Sequence, residues 1–209
     1  MKKTVVTGGA GFIGSHLAEF LAENGHDVVI LDNFRRNSLS SVPELTSRKN
    51  VSILDCSVLD KERVKSALIG AENVLHLAAI AGVSSYYSNP LQVLNVNILG
   101  TVNVLEACVA TGVKQYIHFS TSEVYGSAAN NAIESQPTGI GAVQDKRWVY
   151  ATSKLTGEQF SLRYGEEYNF KVSAIRPFNV YGPRQTGEGA IRNFCKAAIG
   201  GEPLRIEGD

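Results

Sequence analysis

Tyr150-Ala151-Thr152-Ser153-Lys154 puts a phenol and an ammonium four residues apart. On a helix those positions stand on one face, so the two groups can share a site. A phenol with an ordinary pKa of about 10 is a poor base at neutral pH, and a neighbouring cation favours the phenolate. Lys154 would push Tyr150 that way, and a tyrosine so tuned can take a proton from an alcohol. Y-x-x-x-K alone is a common helical pair. It gains force from Phe119-Ser120-Thr121-Ser122-Glu123-Val124-Tyr125-Gly126, a run of hydroxyls closing an apolar stretch. Ligands of open parallel sheets bind at such strand ends. There Thr121 or Ser122 could hydrogen-bond a reacting hydroxyl and its developing oxyanion. Ser120 and Ser122 read equally as strand-end caps. Glu123 adds a carboxylate close by.

A second constellation opens the chain. Val5-Val6-Thr7-Gly8-Gly9-Ala10-Gly11-Phe12-Ile13-Gly14-Ser15-His16 fits two phosphate-binding spacings, through Gly9, Gly11 and Gly14 or through Gly8, Gly11 and Gly14. The loop follows a short strand and precedes an amphipathic helix. Its glycines allow a tight turn and close backbone approach, while free N–H groups and the helix dipole favour an anion. A second strand then ends in Asp32, where a carboxylate can accept hydrogen bonds from ribose hydroxyls. This combination points to a dinucleotide, and a carboxylate at that place favours NAD over NADP. Arg35 and Arg36 read as a solvated pair or as a seat for a 2′-phosphate. Asp55 reads as an adenine contact or a helix cap. An oxidised nicotinamide would place further positive charge near Tyr150 and accept hydride as the phenol takes the proton.

The elements that must hold these groups alternate. Strands are expected near Thr4–Thr7, Asp27–Asp32, Val51–Leu54, Asn73–Leu77, Gln115–Ser120 and Lys171–Arg176, and helices near Phe12–Asn24, Lys61–Leu68, Leu91–Thr111, Tyr150–Tyr168 and Ala190–Gly200. The fold class is therefore α/β, a doubly wound parallel sheet of Rossmann type with helices on both faces. Ser127–Lys146 reads as a long loop, and Pro203–Glu207 as the start of another strand. With 209 residues, twenty basic and twenty acidic, the chain is one ordinary globular unit with no bulk charge for nucleic acid or membrane. No apolar run reaches membrane-spanning length and no signal-peptide core follows Met1, so a cytoplasmic place is expected. Cys56, Cys108 and Cys195 form no C-x-x-C pair and read as ordinary reduced thiols. No metal-ligand pattern stands out.

Taken together, Thr7–Gly14, His76-Leu77-Ala78-Ala79, Asn97-Ile98-Leu99-Gly100-Thr101, Ser120–Gly126, Tyr150/Lys154 and Arg176–Pro183 resemble the extended short-chain dehydrogenase/reductases. Within them the chain is similar to the NAD-dependent epimerase/dehydratase enzymes of nucleotide sugars. The resemblance implies that Gly8, Gly11 and Gly14 hold the pyrophosphate, with Gly9 a coincidence of spacing. It gives Asp32 to the ribose and lets Ala78 and Ala79 line the cofactor. Phe12, Ile13, Asn33, Asp55, Cys56, Leu77, Asn97, Ser120 and Pro177 join the NAD contacts, and Tyr150 and Lys154 catalyse. Thr121 and Glu123 are added as catalytic candidates, and Thr121, Ser122, Asn179 and Arg192 as substrate contacts. A homodimer through the helices near 91–111 and 150–168 is also implied. Residues 1–180 would form the NAD-binding unit and 181–209 the beginning of a substrate domain. Its shortness relative to the family leads to the expectation of a truncated chain with impaired turnover.

Family members oxidise the sugar at C4 and differ in the fate of the ketone. Dehydratases carry Asp-Glu after the threonine; here Ser122-Glu123 lacks the acid that would protonate a departing hydroxyl. A 4-epimerase asks nothing of these positions. A decarboxylase of a uronic acid resembles Ser-Thr-Ser-Glu with Arg147-Trp148-Val149-Tyr150, yet wants an arginine near Gly189, and Arg192 is displaced from that place. The expectation from sequence is UDP-glucose 4-epimerase, with UDP-glucuronate decarboxylase as the alternative. A non-catalytic NAD-binding protein is the third reading, opposed by the intact Tyr150/Lys154 pair.

Overall fold

The computed structural model describes residues 2–128 and 130–206. Six short strands, β1 (Lys3–Thr7), β2 (Asp27–Asp32), β3 (Val51–Asp55), β4 (Asn73–His76), β5 (Gln115–Phe119) and β6 (Lys171–Ile175), make one parallel sheet in the order β3-β2-β1-β4-β5-β6. The helices are α1 (Phe12–Glu23), α2 (Pro43–Thr46), α3 (Lys61–Leu68), α4 (Val83–Ser88), α5 (Pro90–Leu94), α6 (Gly100–Thr111), α7 (Val149–Tyr168) and α8 (Ala190–Gly200). This is the doubly wound Rossmann-like arrangement expected, and the strand order reverses between β1 and β4. A crevice opens there at the carboxyl ends.

Successive residues of β1 feed opposite layers, as the period of a strand requires. Val5 packs with Val64, Leu68, Val104 and Tyr116 on one face, and Val6 with Ala18, Ile30 and Leu45 on the other. Both valines are fully buried, and each such burial stabilises the fold by ~1.5–3 kcal/mol. The edge strands β3 and β6 differ, with half-exposed side chains.

Four features depart from the sequence-based reading. The helices α2 and α4 are too short to show a period, and were not anticipated. The helix expected over Leu91–Thr111 is α5 and α6 joined by a π-turn at Asn95–Leu99. Pro203–Ile206 forms no strand, and Glu207 lies outside the described residues. Finally, Pro90–Thr111, with 22 residues and mean hydropathy 1.6, does reach the length and apolarity of a membrane span. Half of it is buried inside the fold, where it packs on α3 and α7, so its apolarity serves the core. Ser127 and Ala128 end a 3₁₀ stretch that begins at Ser122, 130–145 is turns and irregular segments up to a short 3₁₀ turn at Lys146–Trp148, and Ala129 lies outside the described residues.

Candidate active site

The phosphate loop is specified by lack of space. Gly8 has φ +70°, and a Cβ there would lie 2.6 Å from the Ala78 nitrogen. A Cβ on Gly14 would lie 2.3 Å from the Gly8 carbonyl oxygen, and one on Gly11 3.2 Å from the same atom. The loop and the first turn of α1 therefore touch backbone to backbone, with Gly11 as the N-cap. The reading through Gly8, Gly11 and Gly14 describes this geometry. Gly9 does not line the cleft and has a packing role instead: its Cβ would lie 2.9 Å from the Val6 carbonyl oxygen and 3.0 Å from Ile30. It is a packing glycine beneath the loop.

Asp32 accepts from the Ala10 N–H at 2.9 Å and the Phe34 N–H at 2.8 Å. It thus fixes the loop as well as facing the cleft. Burial raises its pKa against the lowering effect of these bonds. The cleft, about 340 Å³, is lined by Gly8, Gly11, Phe12, Ile13, Gly14, Asp32, Asn33, Cys56, Leu77, Ala78, Ala79, Ser120, Tyr150, Lys154 and Pro177, as the sequence suggested, and also by Arg35 and Arg36. It is joined by Gln92 and Val96, whose four-residue spacing on one helix face is a readable signal, and by Gln185, Thr186 and Glu188, which no local pattern marks. A larger hollow of about 510 Å³ near Lys114 and Lys171 lies at the amino ends of β5 and β6, the wrong end for a ligand of this sheet.

Two proposed cofactor contacts stand outside the cleft lining. Asp55 is exposed, in register with Asp32 at the sheet edge. The helix cap it might have supplied comes from Asp60, which accepts from the Arg63 N–H at 3.1 Å. Asn97 is buried, and its amide is engaged by Ile80 N (2.7 Å), Ile80 O (3.1 Å) and Ser153 Oγ (2.9 Å). It ties the segment after β4 to the residue beside Lys154. The π-turn carries it, a device frequent at functional sites.

Below the cleft lies a buried polar layer. Thr7 Oγ1 and His76 Nδ1 are 2.7 Å apart, His76 Nε2 and Thr101 Oγ1 3.0 Å, and Thr101 donates to the Asn97 carbonyl at 2.6 Å. Since Thr101 spends its proton on that carbonyl, the chain assigns the proton of His76 to Nε2. Burial, and then the Lys154 charge, holds the His76 pKa down to about 3, and His118 is lowered for the same reasons.

Tyr150 and Lys154 share one face of α7 and both line the cleft. The sequence led us to expect a lowered phenol pKa. Instead burial, followed by the Glu123 charge, raises Tyr150 to about 12, opposed by a Thr121 hydrogen bond and the Arg36 charge. Desolvation outweighs the Arg36 charge and the Thr121 bond. Lys154 is 3% exposed, and burial lowers its pKa to about 8 against the pull of Glu158.

Next to Tyr150, Thr121 is buried and its Oγ1 accepts from the Glu123 N–H at 3.3 Å. The Glu123 carboxylate pairs with Arg147 at 2.6 Å. Ser122 is half-buried and its N–H binds the Pro177 carbonyl at 2.9 Å. Asn179 is exposed and Arg192 donates to the carbonyls of Gln185 (2.8 Å) and Gly187 (3.1 Å); none of Thr121, Ser122, Glu123, Asn179 and Arg192 is part of the cleft lining. Cys56 and Cys108 are buried free thiols and Cys195 an exposed one. Among the described residues no cluster could hold a metal.

The cleft fits a dinucleotide on three counts. Gly8 and Gly14 form a cradle that any Cβ would fill, Ser120 Oγ is buried without a partner on the cleft wall, and Lys154 stands beside it. In such a cleft the glycine loop would hold the pyrophosphate, Asp32 the ribose, and Ser120 and Lys154 the reactive half.

Comparison with known proteins supports the same conclusion. Over its whole length the chain is 39% identical to UDP-N-acetyl-alpha-D-glucosaminuronate decarboxylase of Bacillus cytotoxicus, and covers 64% of that relative. Two solved structures share its fold. UDP-glucose 4-epimerase of Thermotoga maritima with UDP-glucose is 32% identical with a TM-score of 0.86, over 99% of this chain and 66% of that one. UDP-glucuronic acid 4-epimerase from Bacillus cereus, in complex with UDP-glucuronic acid and NAD, is 31% identical with a TM-score of 0.83, again over 99% and 66%. The chain thus spans about two thirds of these relatives' lengths. The model of the NAD dependent epimerase/dehydratase family matches residues 4–209; the chain belongs to that family, and its cofactor is NAD.

Proposed function

We propose that the protein oxidises C4 of a UDP-linked uronic acid and then releases C6 as carbon dioxide. The observation that carries this reading is the Glu123–Arg147 pair beside Tyr150 and Thr121. A charged pair at the sugar end suits an acidic sugar, whereas epimerising a neutral hexose asks nothing of position 123. The likeness to the Bacillus cytotoxicus decarboxylase supports it. The UDP-glucose 4-epimerase expected from sequence becomes the second reading.

Tyr150 takes the proton of the C4 hydroxyl while Thr121 holds its oxygen. NAD, when bound, accepts the C4 hydride and later returns it. Once C4 is a ketone, the carboxylate sits β to it. The C5–C6 bond breaks, its electron pair becomes the C4–C5 enolate, and carbon dioxide leaves. Tyr150 and Thr121 hold the enolate oxygen, C5 takes a proton, and Tyr150 returns its own to the C4 oxygen as the alcohol is restored. The net change consumes one proton per carbon dioxide.

Incubation with UDP-glucuronate labelled with carbon-13 at C6 tests this. Labelled carbon dioxide and a UDP-pentose are expected. A C4 epimer retaining the label, or turnover confined to UDP-glucose, overturns it. Epimerisation is the second reading, favoured by the backbone likeness to the two 4-epimerases. We also propose a homodimer through α5–α6 and α7, supported by Leu91, Leu99, Phe160 and Tyr168 exposed along them.

A further inference from the structure

Arg147 is built into three elements. Its backbone N–H donates to the Asp145 carboxylate at 2.9 Å in the turn before α7. Its guanidinium lies 5.8 Å from the Tyr86 ring centroid on α4 and 5.5 Å from that of Trp148. Its Nη1 meets Glu123, which follows β5, at 2.6 Å. The aromatic rings fix the guanidinium plane and shield it on two sides, which strengthens any carboxylate pair it makes. The side chain is nevertheless 39% exposed.

The neighbouring cations are committed elsewhere. Arg192 holds two carbonyls of the 185–187 segment, Arg36 donates to the Ala81 carbonyl at 2.9 Å, and Arg176 is locked to Glu158. Lys154 sits within the cofactor cleft. Arg147 alone of these stands against the Thr121–Glu123 corner where the sugar reacts. Its planar fork presents five donors and can grip a carboxylate through two of them.

Resting on the uronate reading above, we propose that Arg147 recognises the substrate's C6 carboxylate, and that Glu123 occupies that seat when no substrate is bound. Substrate binding then exchanges one carboxylate for another on the same guanidinium. The exchange keeps the half-buried cation paired throughout, so the desolvation cost of an unpaired charge is avoided.

The experiment is calorimetry of the NAD-loaded protein with UDP-glucuronate and, separately, with uncharged UDP-glucose. Arg147→Gln is expected to weaken UDP-glucuronate by ~10- to 100-fold, the range for loss of a charge-pair partner, with UDP-glucose changed by less than about twofold on the same scale. Arg147→Lys should restore part of the loss, since the charge returns without the fork. Glu123→Gln, which removes the competitor, should tighten UDP-glucuronate and leave UDP-glucose alone. Equal weakening of both ligands by Arg147→Gln, or no weakening of either, overturns the assignment. Thermal melts with and without NAD confirm that each variant folds. If Arg147→Gln does not, the Glu123→Gln result decides, and unchanged uronate affinity there refutes the exchange. The two claims separate: loss of uronate selectivity in a protein that releases no carbon dioxide leaves Arg147 standing and removes the decarboxylase. Release of carbon dioxide with selectivity intact in Arg147→Gln does the reverse.

Discussion

From Gly8 to Ala79 the cleft is walled by backbone in contact with backbone, and Gly14 has no room for even one methyl group. Beside the cleft, Thr121 to Trp148 is a corner of side chains on turns and irregular segments, held by the Glu123–Arg147 pair and two aromatic rings. The first region recognises what all dinucleotides share, a pyrophosphate. The second, on the proposed function, faces what differs between sugars. A backbone cradle tolerates no substitution, whereas a side-chain corner can be rebuilt for a new substrate without disturbing cofactor binding.

Substitutions that separate the two regions test this division. Tyr150→Phe removes the proposed proton acceptor together with its hydrogen bond to Thr121. Turnover should fall by roughly 10²- to 10⁴-fold, with NAD affinity, measured by titration, nearly unchanged; normal turnover would place the base elsewhere. Gly14→Ala should do the opposite, crowding the cradle at a cost of ~3 kcal/mol and weakening NAD by roughly 100-fold. As control, Gly200→Ala, whose Cβ meets only Glu202 at 3.8 Å, should leave NAD titration unaltered. Equal NAD affinity in the Gly14 variant would contradict the cradle.

Smaller effects probe the layer beneath. His76 has a folded pKa of about 3, below its ordinary 6.5, so the unfolded chain binds a proton first as pH falls. Stability is therefore full above 6.5 and is lost toward pH 3. His76→Asn should reduce the acid slope of unfolding free energy by about 1.4 kcal/mol per pH unit, read from urea titrations at several pH values; an unchanged slope would mean that His76 is charged in the fold. Least of all, Arg48→Gln breaks the surface pair with Glu23, whose side chains are 35% and 50% exposed. Its effect on the urea midpoint should correspond to less than about 1 kcal/mol, and a larger loss would make that edge more rigid than its exposure implies.

The glycine loop was legible because only glycine meets its steric demand, and because strand, loop, helix and Asp32 follow in an order that a text can carry. The parallel sheet was legible from its apolar runs. The Tyr150/Lys154 pair was readable through helical spacing, but its electrostatics were not: burial by distant elements sets the Tyr150 pKa, and no local pattern records it. That Gly9 is also a packing position was not legible, since part of its contact is with Ile30 of the next strand. The Arg147–Glu123 pair spans 24 residues across the long loop, and Gln185, Thr186 and Glu188 return to the cleft from beyond β6. Such contacts depend on tertiary closure, which a single sequence does not state.

Central to this account is that Tyr150 and Lys154 serve a reversible oxidation at C4 of a UDP-linked sugar. The most direct test is to turn over UDP-glucuronate deuterated at C4, with unlabelled NAD, and to examine the product by NMR. Deuterium is predicted to stay at C4 of a product that has lost C6. Loss of that deuterium to water with no deuterated NAD formed would contradict hydride transfer at C4, and its recovery on NAD beside a 4-ketopentose would contradict the return of hydride.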